Sequence, residues 1–304
     1  MKKILASVFA FALALGLTQA QDTAQPAVLK SKRGYNILPE AGEWGLGVSA
    51  NPFFRYLGNV LNGNTFNTEP AFTYTTNPSN NIALFGKYVV DANTQYRVRF
   101  NINIGTNIDK GVVRQDELTP DPLYPNFTED WRKTNFNTIV LAAGYEKRRG
   151  TTKLQGVYGG ELVVGYSATK QTYQYGNSIN LDFNRPQTAS FGDNVITGTA
   201  LGSNNFLATV RKTEQQNAPS FLVGARGFIG VEYFFAPKMS VGGEFGYMLA
   251  FRNTGRVNFT TEQWDGNTDT VVTTKIDQLG NNGLTSIGLG LDNLSGSINL
   301  LFYF

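Results

Sequence analysis

Gln95-Tyr96-Arg97-Val98-Arg99-Phe100-Asn101-Ile102-Asn103-Ile104-Gly105 alternates without a break. Tyr96, Val98, Phe100, Ile102 and Ile104 fall on one side of an extended chain, and Arg97, Arg99, Asn101 and Asn103 on the other. A helix would scatter these residues around its circumference, whereas a strand sorts them onto two faces. One face is apolar and aromatic, and the other holds two cations and two amides. The stretch is therefore a strand between two different environments, and the rest of the chain repeats it.

Phe221 to Phe235 sets Phe221, Val223, Ala225, Ile229, Val231, Tyr233 and Phe235 against Gly224, Arg226, Gly230 and Glu232. In Met239 to Arg252, Val241, Phe245, Tyr247, Leu249 and Phe251 oppose Ser240, Gly242, Glu244 and Gly246. The terminal stretch alternates Leu294, Ile298, Leu300, Phe302 and Phe304 with Ser295, Ser297 and Asn299. Glu43 to Ala50, Asn81 to Val90, Asn135 to Lys147 and Lys153 to Lys170 follow the same pattern less cleanly. These make eight strands. Ile287, Leu289 and Leu291 are odd-numbered, opposite in parity to the terminal strand. A bulge or turn near Asp292-Asn293 reconciles them, and otherwise the count is ten.

The connections have their own rhythm. Asp91 to Thr94, Arg148 to Thr152 and Ala236 to Lys238 are short. Asn51 to Asn80, Thr106 to Thr134, Gln171 to Ser220 and Asn253 to Asn293 are long. Alternating tight turns and long loops characterise transmembrane barrels, with the turns periplasmic and the loops extracellular. The predicted fold is all-β: a closed antiparallel transmembrane β-barrel. A short helix is predicted at Phe53 to Leu61. Within the last long loop, Asp265-Gly266-Asn267 lies between Val257 to Thr260 and Val271 to Thr274, a hairpin signal.

An eight-stranded barrel has an interior just wide enough for side chains to fill. Rows as bulky as Tyr96 to Ile104 would overfill it, so the apolar rows face hydrocarbon. The lumen then receives Lys87, Arg97, Arg99 and Arg226 with Glu43, Glu146, Glu161, Glu232 and Glu244. Near-balanced signs in a narrow space predict a salt-bridge network that closes the interior, and the alternative is a charged constriction in a pore. Trp44, Tyr88, Tyr96, Tyr145, Tyr158 and Tyr233 are candidates for an aromatic girdle at the membrane interface.

At the start, Lys2 and Lys3 precede an apolar run from Ile4 to Leu17, then Thr18-Gln19-Ala20. This is the anatomy of a secretory signal peptide cleaved after Ala20. Residues 21–42 are polar and aperiodic, a periplasmic leader whose cluster Lys30-Ser31-Lys32-Arg33 reads as a solvated tail. Residues 43–304 form the barrel. The 304-residue chain carries a formal charge of +3, and loss of Lys2 and Lys3 leaves +1. That balance excludes a nucleic-acid partner. With no cysteine and no histidine, the chain has no thiol nucleophile, disulfide framework or imidazole base. No metal site or cofactor is indicated. Asp116-Glu117 and Glu129-Asp130 read as solvated loop pairs.

The ending Gly296-Ser297-Ile298-Asn299-Leu300-Leu301-Phe302-Tyr303-Phe304 resembles the carboxy-terminal signal of outer-membrane barrels. The resemblance implies that Phe302 and Phe304 are read by the barrel-assembly machinery. The chain from Glu43 onward is similar to the small OmpA-, OmpX- and OmpW-like barrels, without the peptidoglycan-binding domain of the larger OmpA proteins. Pro52-Phe53-Phe54-Arg55-Tyr56-Leu57-Gly58-Asn59 resembles barrels of the Bacteroidota. Asp22-Thr23-Ala24 and Asp269-Thr270-Val271 are similar to that group's O-glycosylation motif. Barrel enzymes of the palmitoyl-transferase, protease and phospholipase types rely on a catalytic histidine, which this chain lacks. The resulting expectation is a non-enzymatic protein of the outer membrane, in contact with lipid and lipopolysaccharide, with a structural or interaction role. It could serve as an accessory subunit of a larger outer-membrane protein. The alternative is a narrow channel or porin-like protein for small solutes.

Overall fold

A computed structural model describes residues 29–49, 84–184, 190–191, 210–277, 283–291 and 297–304. The predicted signal peptide, the helix predicted at Phe53 to Leu61 and the triplet Asp22-Thr23-Ala24 lie outside those residues.

The described chain is all-β and antiparallel, with twelve strands. They are β1 (Trp44–Ser49), β2 (Leu84–Asp91), β3 (Thr94–Arg114), β4 (Phe127–Arg149), β5 (Leu154–Gln174) and β6 (Arg211–Gln216), followed by β7 (Ser220–Ala236), β8 (Met239–Thr254), β9 (Asn258–Asp265), β10 (Thr270–Asp277), β11 (Leu284–Leu291) and β12 (Ser297–Tyr303). Pairings lead from β1 through β2, β3, β4, β5, β7, β8 and β12, and from β12 back to β1. Those eight strands correspond to the eight segments with alternating sequence. The tight connections β2–β3, β4–β5 and β7–β8 share one end of this ring, called the turn end below, with β1 and β12.

The strands overrun their expected limits. β3, β4 and β5 have 21, 23 and 21 residues, about 70 Å at ~3.3 Å per residue. Thr106 to Thr134 is thus mostly strand rather than loop, because Gly105 to Arg114 pairs residue for residue with Phe127 to Phe136. Backbone pairing continues wherever two strands already lie side by side, whatever the polarity of the side chains.

Part of Gln171 to Ser220 and Asn253 to Asn293 is likewise strand. β5 pairs with β7 up to Ser167 and with β6 from Lys170 onward. β6 then pairs with β9, and β9 with β10. The β9–β10 hairpin turns where the Asp265-Gly266-Asn267 signal places it.

β11 and β12 account for the parity conflict. Both pair with β8, Leu291 opposite Tyr247 and Ser297 opposite Glu244. The chain therefore advances six residues while β8 advances three. An odd surplus of three exchanges the two faces, and residues 292–296, which contain Asp292-Asn293, lie outside the described set. β11 and β12 run along a single neighbour, so they do not add two strands to the ring.

Side-chain burial is inverted relative to an ordinary soluble sheet. Leu162 and Ile229 are 70% and 67% exposed, whereas Arg97 and Arg226 are 2% and 1% exposed. Trp44, Tyr88, Tyr96 and Tyr145 are consecutive cross-strand partners, forming one aromatic row across β1 to β4 near the turn end. The apolar core is small and sits at that end, built from Ile37, Phe85, Val89, Phe234, Leu301 and Tyr303.

Ile37 belongs to the leader, which is not a free tail. Its amide donates to Leu29 O, and Lys238 N donates to Ile37 O, both at 2.9 Å. Gly42 N reaches Val89 O at 2.8 Å. The segment from Leu29 to Glu43 folds across the mouth of the ring because Ile37, with Leu29 and Leu38 packed beside it, has an apolar recess to fill.

Candidate functional site

Above the apolar mouth, the inward positions of β2, β3, β4, β5, β7 and β8 carry charge. Alternation together with the bulk of the apolar rows puts Lys87, Arg97, Arg99, Glu146, Glu161, Arg226, Glu232 and Glu244 on the inner face, and the structure brings all eight together. Lys87 Nζ lies 2.8 Å from Glu146 and 3.2 Å from Glu232. Arg97 reaches Glu161 at 2.7 Å, and Glu146 and Glu244 at 2.9 Å each. Arg226 bridges Glu244 at 3.0 Å and Glu161 at 3.2 Å, and Arg99 caps Glu161 at 3.0 Å.

Lys87 and Arg97 are opposed residues of neighbouring strands. Two like charges so placed would repel. Glu146 relieves this by binding Lys87 through one oxygen and Arg97 through the other. The Arg97 guanidinium also lies 4.2 Å from the centroid of Phe228, which covers a face that no carboxylate can use.

Two members are not apparent from the sequence. The alternation places Arg148 in a turn, but β4 continues through it and directs its side chain inward. There it donates to Glu232 and to the Tyr303 hydroxyl, both at 3.1 Å. Tyr303 occupies the inner face of the terminal strand and donates to Glu232 at 2.8 Å, with Ser240 donating to the same carboxylate oxygen at 2.5 Å. The even spacing that links Glu146 to Arg148 is the available signal. Conversely, Glu43 does not join the cluster. It pairs with Lys238 at 2.5 Å at the mouth, because β1 begins only at Trp44.

Counting Arg148, five cations meet four carboxylates. Each buried charge touches an opposite one, as desolvation requires, since an unpaired ion here would cost several kcal/mol. Gly246 makes room for the network: a Cβ there would collide with the Arg226 guanidinium. The free volume beside Lys87, Glu232 and Glu244 is about 10 Å³, about enough for one water.

A second cluster lies toward the opposite end. Asp130, expected to be a solvated loop residue, is completely buried and accepts Gly176 N and Ser190 N at 3.0 Å each. Arg211 donates to Glu262 at 2.6 Å and to Asn177 O at 2.7 Å, stacked 4.2 Å from the Tyr175 ring centroid. Burial pushes the Tyr175 phenol above its ordinary range, and it donates to Lys212 O at 2.5 Å.

The chain matches no protein-family model and no curated protein. Among solved structures it is similar to a major outer membrane protein from Thermus thermophilus. That similarity amounts to 8% identity and a TM-score of 0.30, over 87% of this chain and 100% of the other. A match at that level leaves function to the geometry.

Chemically, the inner network is a set of mutual ion pairs. Its carboxylates are all held by cations or hydroxyls. No group of three or more acidic residues among the described ones is arranged to hold a metal ion. Phe302 and Phe304 lie on the outer wall, exposed, with ring centroids 6.2 Å apart.

Proposed function

We propose that this protein is a non-enzymatic β-barrel of the bacterial outer membrane. In this reading its lumen is closed by the ion-pair network, and its role is structural or one of interaction. The inverted burial carries it: a continuous apolar wall outside and a cluster of nine charges inside. Such a wall is stable only in hydrocarbon, and the ring of pairings leaves few unpaired strand edges there. About 9–11 residues suffice to cross a bilayer, so β3, β4 and β5 extend well beyond it. Those extensions, with β6, β9 and β10, offer surface to other molecules outside the cell, including a larger outer-membrane partner.

The test is membrane fractionation followed by planar-bilayer recording of the purified protein. The expected result is recovery with the outer membrane and electrical silence. Resolved single-channel events from the unmodified protein would favour the narrow-channel alternative, and recovery in a soluble fraction would discard the barrel reading.

A further inference from the structure

The leader is anchored beside the ion-pair network, where side chains already fill the space next to the mouth. The ion pairs leave about 10 Å³ free beside Lys87 and Glu232, so a stopper at the mouth adds little closure. What the anchor does supply is a fixed position for a short hairpin. Lys30 and Asn36 form its bridge, Gly34 N donates to Ser31 O at 2.9 Å, and Ser31 N donates to Tyr35 O at 2.8 Å. Gly34 adopts φ +85°, which lets the turn close within four residues.

That turn holds Lys30, Lys32 and Arg33 exposed, with Tyr35 64% exposed beside them. The acidic residues of the segment are directed elsewhere: Glu40 accepts from Asn36 and Glu43 binds Lys238. Among the described residues, no carboxylate is within ion-pair distance of the three cations. A flexible basic tail would lose much entropy on binding, whereas this one is already ordered by burial of Ile37.

We propose that Lys30, Lys32, Arg33 and Tyr35 form a docking tip for peptidoglycan, the carboxylate-bearing glycan-peptide polymer of the periplasm. This rests on the barrel reading, which places the turn end in the periplasm. The base of the hairpin is rooted on inward-facing residues (Phe85, Val89, Phe234, Leu301 and Tyr303) rather than on the apolar outer wall. The hairpin is therefore anchored inside the ring and not on the lipid-facing surface. The cations complement the free carboxylates of the peptide stems, and the Tyr35 ring offers a flat apolar face to a sugar.

The experiment is co-sedimentation of the full-length mature protein, in detergent, with purified sacculi. Beside it runs the Lys30→Glu/Lys32→Glu/Arg33→Glu variant, with the heat-dependent gel shift of folded barrels as the control for folding. The unmodified protein should sediment, and the variant should bind at least about tenfold more weakly while remaining folded. Ile37→Asp, which keeps the cations but frees the hairpin, should also weaken binding.

Equal sedimentation of the unmodified protein and the charge-reversed variant overturns the proposal. So does capture by phosphatidylglycerol vesicles in place of sacculi. The chain has no cysteine, so Ser31→Cys reports orientation separately. Labelling by a membrane-impermeant maleimide in intact cells would refute the placement of the turn end itself. Protection until the outer membrane is permeabilised leaves the sacculus result to decide.

Discussion

Tyr303, one residue from the end of the chain, donates its phenol to the Glu232 carboxylate at 2.8 Å and accepts from Arg148 at 3.1 Å. The terminal strand is thereby joined to β4 and β7 by side chains as well as to β1 and β8 by backbone. Tyr303→Phe keeps the ring in the apolar mouth and removes both hydrogen bonds. Because Ser240, Lys87 and Arg148 still hold Glu232, the expected loss is about 1–3 kcal/mol for the two bonds together. Urea titration of the folded protein, read by the gel shift, measures it. A loss several times larger would mean that Tyr303 organises the network rather than completing it.

Glu161 holds three guanidinium groups: Arg97 at 2.7 Å, Arg99 at 3.0 Å and Arg226 at 3.2 Å. Glu161→Gln leaves them in mutual repulsion, and the expected destabilisation is about 3–5 kcal/mol. Adding Arg226→Met to that variant should recover part of the loss, because it removes one stranded cation. If the two substitutions prove simply additive in the same titration, the groups are not coupled as the distances imply.

Gly246 lies against the Arg226 guanidinium, and a methyl group there occupies the same space. Gly246→Ala must push Arg226 away from Glu244, which it contacts at 3.0 Å. The expected cost is about 1–3 kcal/mol, in the range for overpacking a filled interior. Gly288, where an added Cβ meets nothing, provides the control. Gly288→Ala should leave the unfolding midpoint unchanged.

The β9–β10 hairpin turns on Asp265, whose carboxylate accepts Asn267 N at 2.9 Å and the Thr268 hydroxyl at 3.0 Å. The backbone hydrogen bond, then the hydroxyl, holds the Asp265 carboxyl below its ordinary range. A depressed carboxyl contributes order above its unfolded pKa and loses that contribution as pH falls through the lower folded value. Amide exchange at Asn267 should therefore stay protected through neutral and mildly acidic pH and accelerate only below the ordinary aspartate range. Asp265→Asn should remove this acid-side step. Rapid exchange throughout the hairpin at neutral pH would show that the turn is not ordered.

Much of this architecture is legible in the sequence because a strand has a period of two. Arg97 and Arg99 flanked by Val98 and Phe100 fix which side chains share a face, whichever solvent lies on either side. The same period identifies eight inward charges and locates the tight turns.

Arg148 and Asp130 escape that pattern for one reason. Both lie on strand extensions whose outward residues (Lys147 and Arg149, and Glu129 and Trp131) do not read as an apolar row, so the alternation fades while the backbone pairing continues. The leader reads as a tail because Ile37 and Pro39 have no periodicity of their own.

The sequence alone determined the fold class, the inner and outer faces of the strands and the set of charges that must find partners, since all three follow from local geometry. Only the tertiary structure decided which carboxylate meets which cation, that Tyr303 and Arg148 share Glu232, and that the leader is anchored at the mouth. Those contacts join residues up to 195 positions apart, as in Lys238 with Glu43. Their distances depend on register: the pattern that repeats every two reveals that the parity switches between β11 and β12, but not that both strands pair with β8 across a surplus of three residues.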